Sequence, residues 1–163
     1  DPAAFRAAFE ARLHALSHTH DLLTASSWRG AALRDVVLTE LSPHGENHYR
    51  VEGPAVDLTP PQALTFGMVF HELATNAAKY GALSHENGCV RVAWSLDEAG
   101  VLVLTWSENG GPKVTPPKSR GFGSRLIERS VAGDLGGTAQ LSFDSEGLTC
   151  RIETDLTARP YSR

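Results

Sequence analysis

Four polar side chains that can act together on a phosphorylated ligand lie close together in this chain: Glu72, Asn76, Lys79 and Tyr80. Their spacing of i, i+4, i+7 and i+8 places them on one face of an α-helix. A carboxylate can activate a nucleophile, an amide oxygen can ligate a hard cation, and a lysine can neutralise phosphate. The set predicts a magnesium–nucleotide site on one helix. From this stretch alone, an amphipathic helix with polar residues facing solvent remains an equal alternative.

The same stretch begins like a helical zinc-protease motif, with His71 followed by Glu72. That motif needs a second histidine at the position of Thr75, so the two-histidine helical zinc site is absent. His14 and His18 share a face of an earlier helix at i, i+4, but no third ligand is evident in the sequence. We therefore expect these two to be solvated residues rather than a metal pair.

The central helix must dock one side on a sheet to hold these groups. An apolar stripe adjoins the polar face, made by Phe66, Val69, Phe70, Leu73 and Ala77. Such a stripe at helical spacing is typical of a helix that packs on a core. Pro60 and Pro61 suit the helix start, with Thr59 as its N-cap.

Two glycine-rich segments are candidates for the rest of the site. Glu108-Asn109-Gly110-Gly111 follows a strand that we predict to end at Trp106. A carboxylate there can accept a hydrogen bond from an amino group, and the glycines allow the backbone close to a flat ring. Taken alone, an ordinary acidic turn is the more common explanation of such a segment.

The second segment, Gly121-Phe122-Gly123-Ser124, opens a helix whose free N–H groups can hold phosphate oxygens. Nearby cations add positive charge, namely Lys113, Lys118, Arg120 and Arg125. It is neither a dinucleotide-binding fingerprint nor a P-loop, because the required spacings are absent.

The composition limits the class of protein. The chain has 163 residues, enough for one domain, and its net charge of −4 argues against a nucleic-acid-binding surface. No apolar run is long enough to span a membrane, so we expect no membrane contact and a cytoplasmic location. Cys89 and Cys150 lack metal-site spacing and are expected to be reduced thiols. The chain starts at Asp1, which suggests a piece of a longer protein.

Periodicity and turn residues give the order of elements. Helices are predicted at residues 3–23, 31–41, 60–82 and 121–135. Strands are predicted at 49–53, 56–58, 89–96, 101–106, 138–143 and 148–156. Tight hairpins make strand neighbours antiparallel. The fold class is therefore α+β, a two-layer sandwich in which helices cover one face of a mixed, mainly antiparallel sheet, preceded by one long helix.

The joint pattern is much more specific than its parts. The chain resembles the ATP-binding catalytic domain of histidine kinases, and in detail the HWE subfamily. That subfamily is named for a histidine in the helix motif, here His71, and for a Trp-x-Glu, here Trp106-Ser107-Glu108. The flanks agree at Tyr80-Gly81-Ala82-Leu83-Ser84 and at Gly121-Phe122-Gly123-Ser124-Arg125. The likeness covers about residues 3–156.

The resemblance implies roles for individual residues. Glu72, Asn76 and Lys79 would be catalytic, with Asn76 as the Mg²⁺ ligand, and Glu108 would recognise adenine. The residues implied to contact ATP are Asn76, Lys79, Tyr80, Glu108, Gly110, Gly111, Gly121, Phe122, Gly123, Ser124 and Thr149. Residues 112–120 would form a short lid over the nucleotide. His71 is expected to be a packed residue at the join of helix and sheet.

The resemblance also implies an activity and an organisation. Residues 1–26 would be the second helix of the dimerisation and phosphoacceptor region, 27–158 the catalytic domain and 159–163 a tail. The domain would transfer the γ-phosphoryl group of ATP, with Mg²⁺, to a histidine on a preceding helix, and thence to an aspartate of a response-regulator receiver domain. Association through the first helix is possible. The alternative is a non-catalytic nucleotide-sensing or scaffold module with the same fold.

Overall fold

The computed structural model describes residues 1–25, 30–112 and 122–158. The helices are α1 (Pro2–Ala25), α2 (Leu33–Leu41), α3 (Pro60–Tyr80) and α4 (Phe122–Asp134). The strands are β1 (Ala31–Ala32), β2 (Tyr49–Glu52), β3 (Asp57–Leu58), β4 (Cys89–Leu96), β5 (Val101–Asn109), β6 (Thr138–Asp144) and β7 (Gly147–Asp155). Short 3-10 turns occupy Ser42–His44, Glu46–His48 and Ala82–Ser84.

Five strands form the main sheet in the order β2-β4-β5-β7-β6. The β2–β4 pair is parallel and the other neighbours are antiparallel. Tight hairpins join β4 to β5 and β6 to β7, and such connections require antiparallel pairing. Strands β1 and β3 pair separately in a small antiparallel ribbon, which the sequence did not predict. The mixed, mainly antiparallel sheet of the predicted α+β fold is confirmed.

Helices cover one face of this sheet. Along β5, buried residues alternate with partly exposed ones, and Leu102, Leu104 and Trp106 are fully buried on the covered face. The Trp106 ring stacks on Phe70 of α3 at a centroid distance of 6.4 Å. All five residues of the predicted apolar stripe of α3 are buried, so the docking face of that helix is confirmed.

Helix α3 begins as the sequence predicts. Thr59 is its N-cap, and a capping box forms with Gln62: the Thr59 side chain accepts from the Gln62 N–H, and the Gln62 side chain accepts from the Thr59 N–H. The helix ends at Tyr80, two residues before the predicted Ala82, because Gly81 caps it. No helix within the described residues has both the length and the apolarity needed to cross a membrane.

Helix α1 lies against α3 along one side and is open on the other. Ala15, Thr19 and Leu23 are buried. A Cβ on Gly67 of α3 would lie 1.9 Å from the Thr19 Oγ1, which shows how closely the two helices approach. Four large apolar residues of α1 are exposed, and these are Phe5, Phe9, Leu13 and Leu16.

Both cysteines are free thiols in the described chain. Cys150 is fully buried on the helix-covered face, and burial raises the pKa of its thiol to about 12. A thiol with such a pKa is inert at neutral pH. Cys150 is therefore a structural residue of the core.

Candidate active site

The polar face of α3 runs from the interior of the molecule to its surface. Glu72 is buried with 6% of its surface exposed, Asn76 is half-buried, and Lys79 and Tyr80 are exposed. The polar face predicted from the spacing is therefore present, with Glu72 at its buried end and Lys79 at its exposed end. A phosphate that approached from solvent would meet Lys79 before Asn76 and Glu72.

The start of α4 reaches this face. A Cβ built on Gly123 would lie 2.9 Å from the Glu72 Oε2 and 3.5 Å from the Asn76 Nδ2. Only glycine allows the backbone that close without displacing the carboxylate. Two segments far apart in the sequence, which were predicted to share a site, are thus in contact at Gly123.

Glu72 keeps one oxygen without a partner. Its Oε1 is buried and accepts no hydrogen bond from the described residues. Burial raises the pKa of Glu72, while the positive charges of His71, Arg12 and Lys79 act in the opposite direction. A buried acceptor without a partner costs free energy and therefore favours any ligand or water that donates to it.

Glu108 differs from its predicted setting. It lies within β5, which continues to Asn109 rather than ending at Trp106, and it is buried. Its Oε1 accepts from the Ala82 N–H and its Oε2 accepts from the Trp106 indole N–H, each at 3.0 Å. Burial raises the pKa of Glu108, and these two hydrogen bonds oppose that shift. The prediction that Glu108 lies in a turn after the strand is wrong. Its carboxylate lies within β5 and links this strand to the segment after α3 by accepting from the Ala82 N–H.

Three glycines make this junction possible. A Cβ on Gly81 would lie 2.1 Å from the Glu108 Oε1, and one on Gly111 would lie 2.9 Å from the Ala82 backbone. Gly110 has a φ of +75°, a conformation that glycine adopts readily. The sequence pointed to Gly110 and Gly111 but not to the contact of Ala82 with Glu108. Gly81, directly after α3, was the available signal in the sequence that the chain turns closely at this point.

Thr149 is not brought to the other predicted residues. It is paired with Ser107 on β5, whereas Trp106 is paired with the fully buried Cys150. Paired residues of an antiparallel sheet point to the same face, and neighbours along a strand alternate. Thr149 therefore lies on the face opposite to Glu108, and the expectation that it joins the adenine side is not met.

Part of the predicted site lies outside the described residues. This applies to Gly121, to residues 113–120 of the predicted lid and to the tail at 159–163. Within the described first turn of α4, Ser124 is half-buried and Arg125 is exposed. The phosphate-binding role of this turn stays a prediction.

Comparison with known proteins adds a second line of evidence. Residues 1–55 match the family model described as HWE histidine kinase. The blue-light-activated histidine kinase of Brucella ovis is 34% identical over 167 residues, covering 99% of this chain and 34% of that relative. The resemblance to the HWE histidine kinases is confirmed. The chain spans about a third of the length of the curated relatives that it matches.

Solved structures agree on the fold. The histidine kinase domain from an Erythrobacter litoralis blue-light activated histidine kinase matches with a TM-score of 0.70 at 20% identity, covering 94% of this chain and 76% of that one. The catalytic domain of histidine kinase ThkA matches with a TM-score of 0.59 at 15% identity, covering 79% and 97%. The fold is that of histidine-kinase catalytic domains.

The residues that give the HWE histidine kinases their name are packed in this chain. His71 places its Nδ1 2.9 Å from the Glu40 Oε2, and Trp106 is fully buried with its indole N–H bonded to Glu108. The expectation that His71 is a packed residue is therefore met. Glu40 was missed, although a carboxylate among the buried positions of α2 (Val36, Val37 and Leu41) signals an internal partner.

Proposed function

We propose that this chain is the ATP-binding catalytic part of a sensor histidine kinase of the HWE type. The observation that supports it is the contact of Gly123 with Glu72 and Asn76, which joins a helix start suited to phosphate with a polar helix face. Residues 27–158 would form the catalytic domain, and α1 would belong to the phosphoacceptor region. Since the chain spans about a third of its relatives, the activity of the whole protein is part of this proposal.

The residues at the inner end of the α3 face fit a magnesium ion. Mg²⁺ takes oxygen ligands and keeps several waters. Asn76 would offer its amide oxygen, and the unpartnered Oε1 of Glu72 would accept from a metal-bound water. When bound, Mg²⁺ supplies positive charge to the phosphates of ATP.

Each protein group then has a defined task. Lys79, at the exposed end of the face, would neutralise phosphate oxygens. The N–H groups in the first turn of α4 would hold the same oxygens. Glu72 would orient the imidazole of an acceptor histidine from another helix or take its proton as the phosphorus–nitrogen bond forms. An exposed Tyr80 would line the rim of the site.

The adenine end is proposed to lie at the junction of Glu108, Gly110 and Gly111. Each Glu108 oxygen already accepts one hydrogen bond, and a carboxylate oxygen has a second lone pair. A direct bond from the amino group of adenine would use that capacity. Replacing ATP with GTP tests this part alone, because guanine presents an acceptor at the same place.

The phosphoryl group would pass to a histidine outside α1 and then to an aspartate of a response-regulator receiver domain. We propose a cytoplasmic location, which such a partner implies. Transfer requires the acceptor nitrogen to be held in line with the γ-phosphate.

Calorimetry of ATP binding with and without Mg²⁺ tests the proposal. Asn76→Ala should weaken the Mg²⁺-dependent binding by about 1–3 kcal/mol, because one charge-assisted contact is lost. Asn47→Ala, at an exposed position in the turn Glu46–His48, is the matched control and should bind as the unmodified chain does. Equal affinity of Asn76→Ala and the unmodified chain in Mg²⁺ would contradict the assignment.

A further inference from the structure

Three ligand-type side chains from three helices meet beside the polar face of α3, in a recess that Lys79 also lines. They are His18 of α1, Glu40 of α2 and His71 of α3. The His18 Nδ1 lies 3.3 Å from the Glu40 Oε1, and the His71 Nδ1 lies 2.9 Å from the Glu40 Oε2. One ligand atom from each residue lies within 4.8 Å of those of the other two. The helices bring together residues that are far apart in the chain.

These distances suit a shared metal ion. Two ligands bound at about 2.0–2.1 Å in a tetrahedron are roughly 3.3 Å apart. The two nitrogen–oxygen distances, 3.3 Å and 2.9 Å, lie at or slightly below that value, so a shift of a few tenths of an ångström directs the three side chains at one ion. Two imidazoles and one carboxylate favour zinc and neighbouring transition metals over magnesium, which prefers oxygen ligands.

Two of the three side chains are buried, whereas the third is open to solvent. Glu40 is buried with 6% of its side chain exposed, and the His71 side chain is 15% exposed. His18 is 47% exposed and forms the open side. A recess of about 250 Å³ is lined by these residues together with Thr75 and Lys79. There is thus an entry path and room for a solvent molecule as fourth ligand.

We propose that His18, Glu40 and His71 bind one divalent transition-metal ion of the zinc class. The ion is held by an imidazole nitrogen of each histidine and by a Glu40 oxygen, with water in the open position. It ties α1 to α2 and α3, so that metal occupancy fixes the angle at which α1 leaves the catalytic domain. This site uses neither Asn76 nor the start of α4, and it does not depend on the proposed nucleotide function.

Titration of the chain without an affinity tag tests this site. The protein is stripped with a chelator and titrated at pH 7.5 with Zn²⁺ by calorimetry and with Co²⁺ by visible absorption. We expect one equivalent of each, with the intense absorption of tetrahedral Co²⁺. His18→Ala, at a half-exposed position, and Glu40→Gln and His71→Gln should each weaken binding at least tenfold.

His14→Ala is the matched control. His14 is exposed on α1 one turn before His18, so it tests whether metal binds only to a pair of surface histidines. Its affinity for Zn²⁺ should stay within twofold of the unmodified chain. A loss in His14→Ala equal to that in His71→Gln would overturn the three-helix site.

Two further outcomes would overturn the proposal. One is an absence of stoichiometric Zn²⁺ binding, which would leave Glu40 as an acceptor shared by two imidazoles. The other is displacement of Zn²⁺ by millimolar Mg²⁺. Mg²⁺ prefers oxygen ligands, so a site that it occupies would not be the site with two imidazole ligands proposed here. In support, a hundredfold excess of Zn²⁺ over its Kd should raise the melting temperature by roughly 5–10 °C. His71→Gln should reduce that increase.

Discussion

The buried carboxylates of Glu72 and Glu108 differ in how many of their oxygens accept a hydrogen bond. Glu108 accepts hydrogen bonds from the Ala82 N–H and the Trp106 indole N–H, and the first of these links β5 to the segment after α3. Glu72 keeps its Oε1 without a partner among the described residues. Since an unpartnered buried acceptor destabilises a fold, Glu72 is placed for binding or chemistry at a cost in stability.

Glu72→Gln should stabilise the chain at alkaline pH. Burial raises the pKa of Glu72 above its ordinary value of 4.5. Between pH 4.5 and the raised pKa, the folded state therefore holds a proton that the unfolded state has lost. The contribution of Glu72 to the unfolding free energy therefore falls as pH rises from about 4.5 through the raised pKa. We expect a gain of about 1 kcal/mol at pH 8, measured by urea unfolding.

The matched control for this change is Glu86→Gln at an exposed position after Ser84. It should leave the unfolding free energy unchanged at pH 5 and at pH 8. The Glu72→Gln variant should also flatten the pH profile. A parallel profile in Glu72→Gln and the unmodified chain would show that burial of this carboxylate carries no cost.

Glu108→Gln should destabilise the chain by about 1–3 kcal/mol. An amide has one acceptor oxygen, whereas the Ala82 N–H and the Trp106 indole N–H both need an acceptor. Trp106→Phe removes one donor, and the double variant gives the coupling energy between the two side chains by urea unfolding. Additive effects of the two changes would show that the hydrogen bond from Trp106 to Glu108 contributes nothing to stability.

At this scale the sequence predicted which polar side chains share a face of α3 better than it predicted the contacts that each buried carboxylate makes. The spacing of Glu72, Asn76 and Lys79 follows from helical geometry alone, so their common face was predictable. The hydrogen bond from the Ala82 N–H to Glu108 depends on where α3 and β5 end. Sequence patterns locate the ends of helices and strands poorly. Glu40 meets His18 and His71 only through helix packing.

Among the elements, the contact of α1 with α3 is a close one. Its tightest point is Gly67, where an added Cβ would lie 1.9 Å from the Thr19 Oγ1 and 3.1 Å from the Thr19 Cβ. Thr19 is β-branched and buried, so its side chain has little freedom to move away. This small-residue contact sets the distance between the two helices.

Gly67→Ala should loosen α1 although alanine is the better helix former. Overpacking costs about 1–3 kcal/mol, against a propensity gain of about 1 kcal/mol in the other direction. Thr19→Ala removes the obstructing hydroxyl and should restore α1 in the double variant. Hydrogen exchange of the α1 amides is the measurement. Faster exchange in Gly67→Ala that Thr19→Ala does not reverse would place the clash elsewhere.

The elements themselves were largely predictable because their periodicities are strong. Helices α1 to α4 and the hairpins β4–β5 and β6–β7 arise from alternating or helical apolar patterns with glycine and proline at their ends. A strand at 56–58 was predicted, but its partner β1 was not, because residues 31–32 were predicted as the start of the helix that begins at Leu33. The parallel pairing of β2 with β4 depends on the tertiary fold.

On the scale of the whole molecule, α1 has two different sides. One side packs on α3 through Ala15, Thr19 and Leu23. The other carries four exposed large apolar residues, of which Phe5 and Phe9 stack at 6.4 Å. Their spacing along the helix makes a continuous stripe. A stripe of this kind on a surface marks an interface.

We predict that the chain associates with itself through this stripe. Light scattering after gel filtration should give a mass that rises with protein concentration toward that of a dimer. Phe9→Glu places a charge in the centre of the stripe and should keep the chain monomeric, because burying an unpaired carboxylate is costly. Ala7→Glu adds the same charge at an exposed position away from the stripe and should still associate. Equal association of both variants would show that another surface joins the copies.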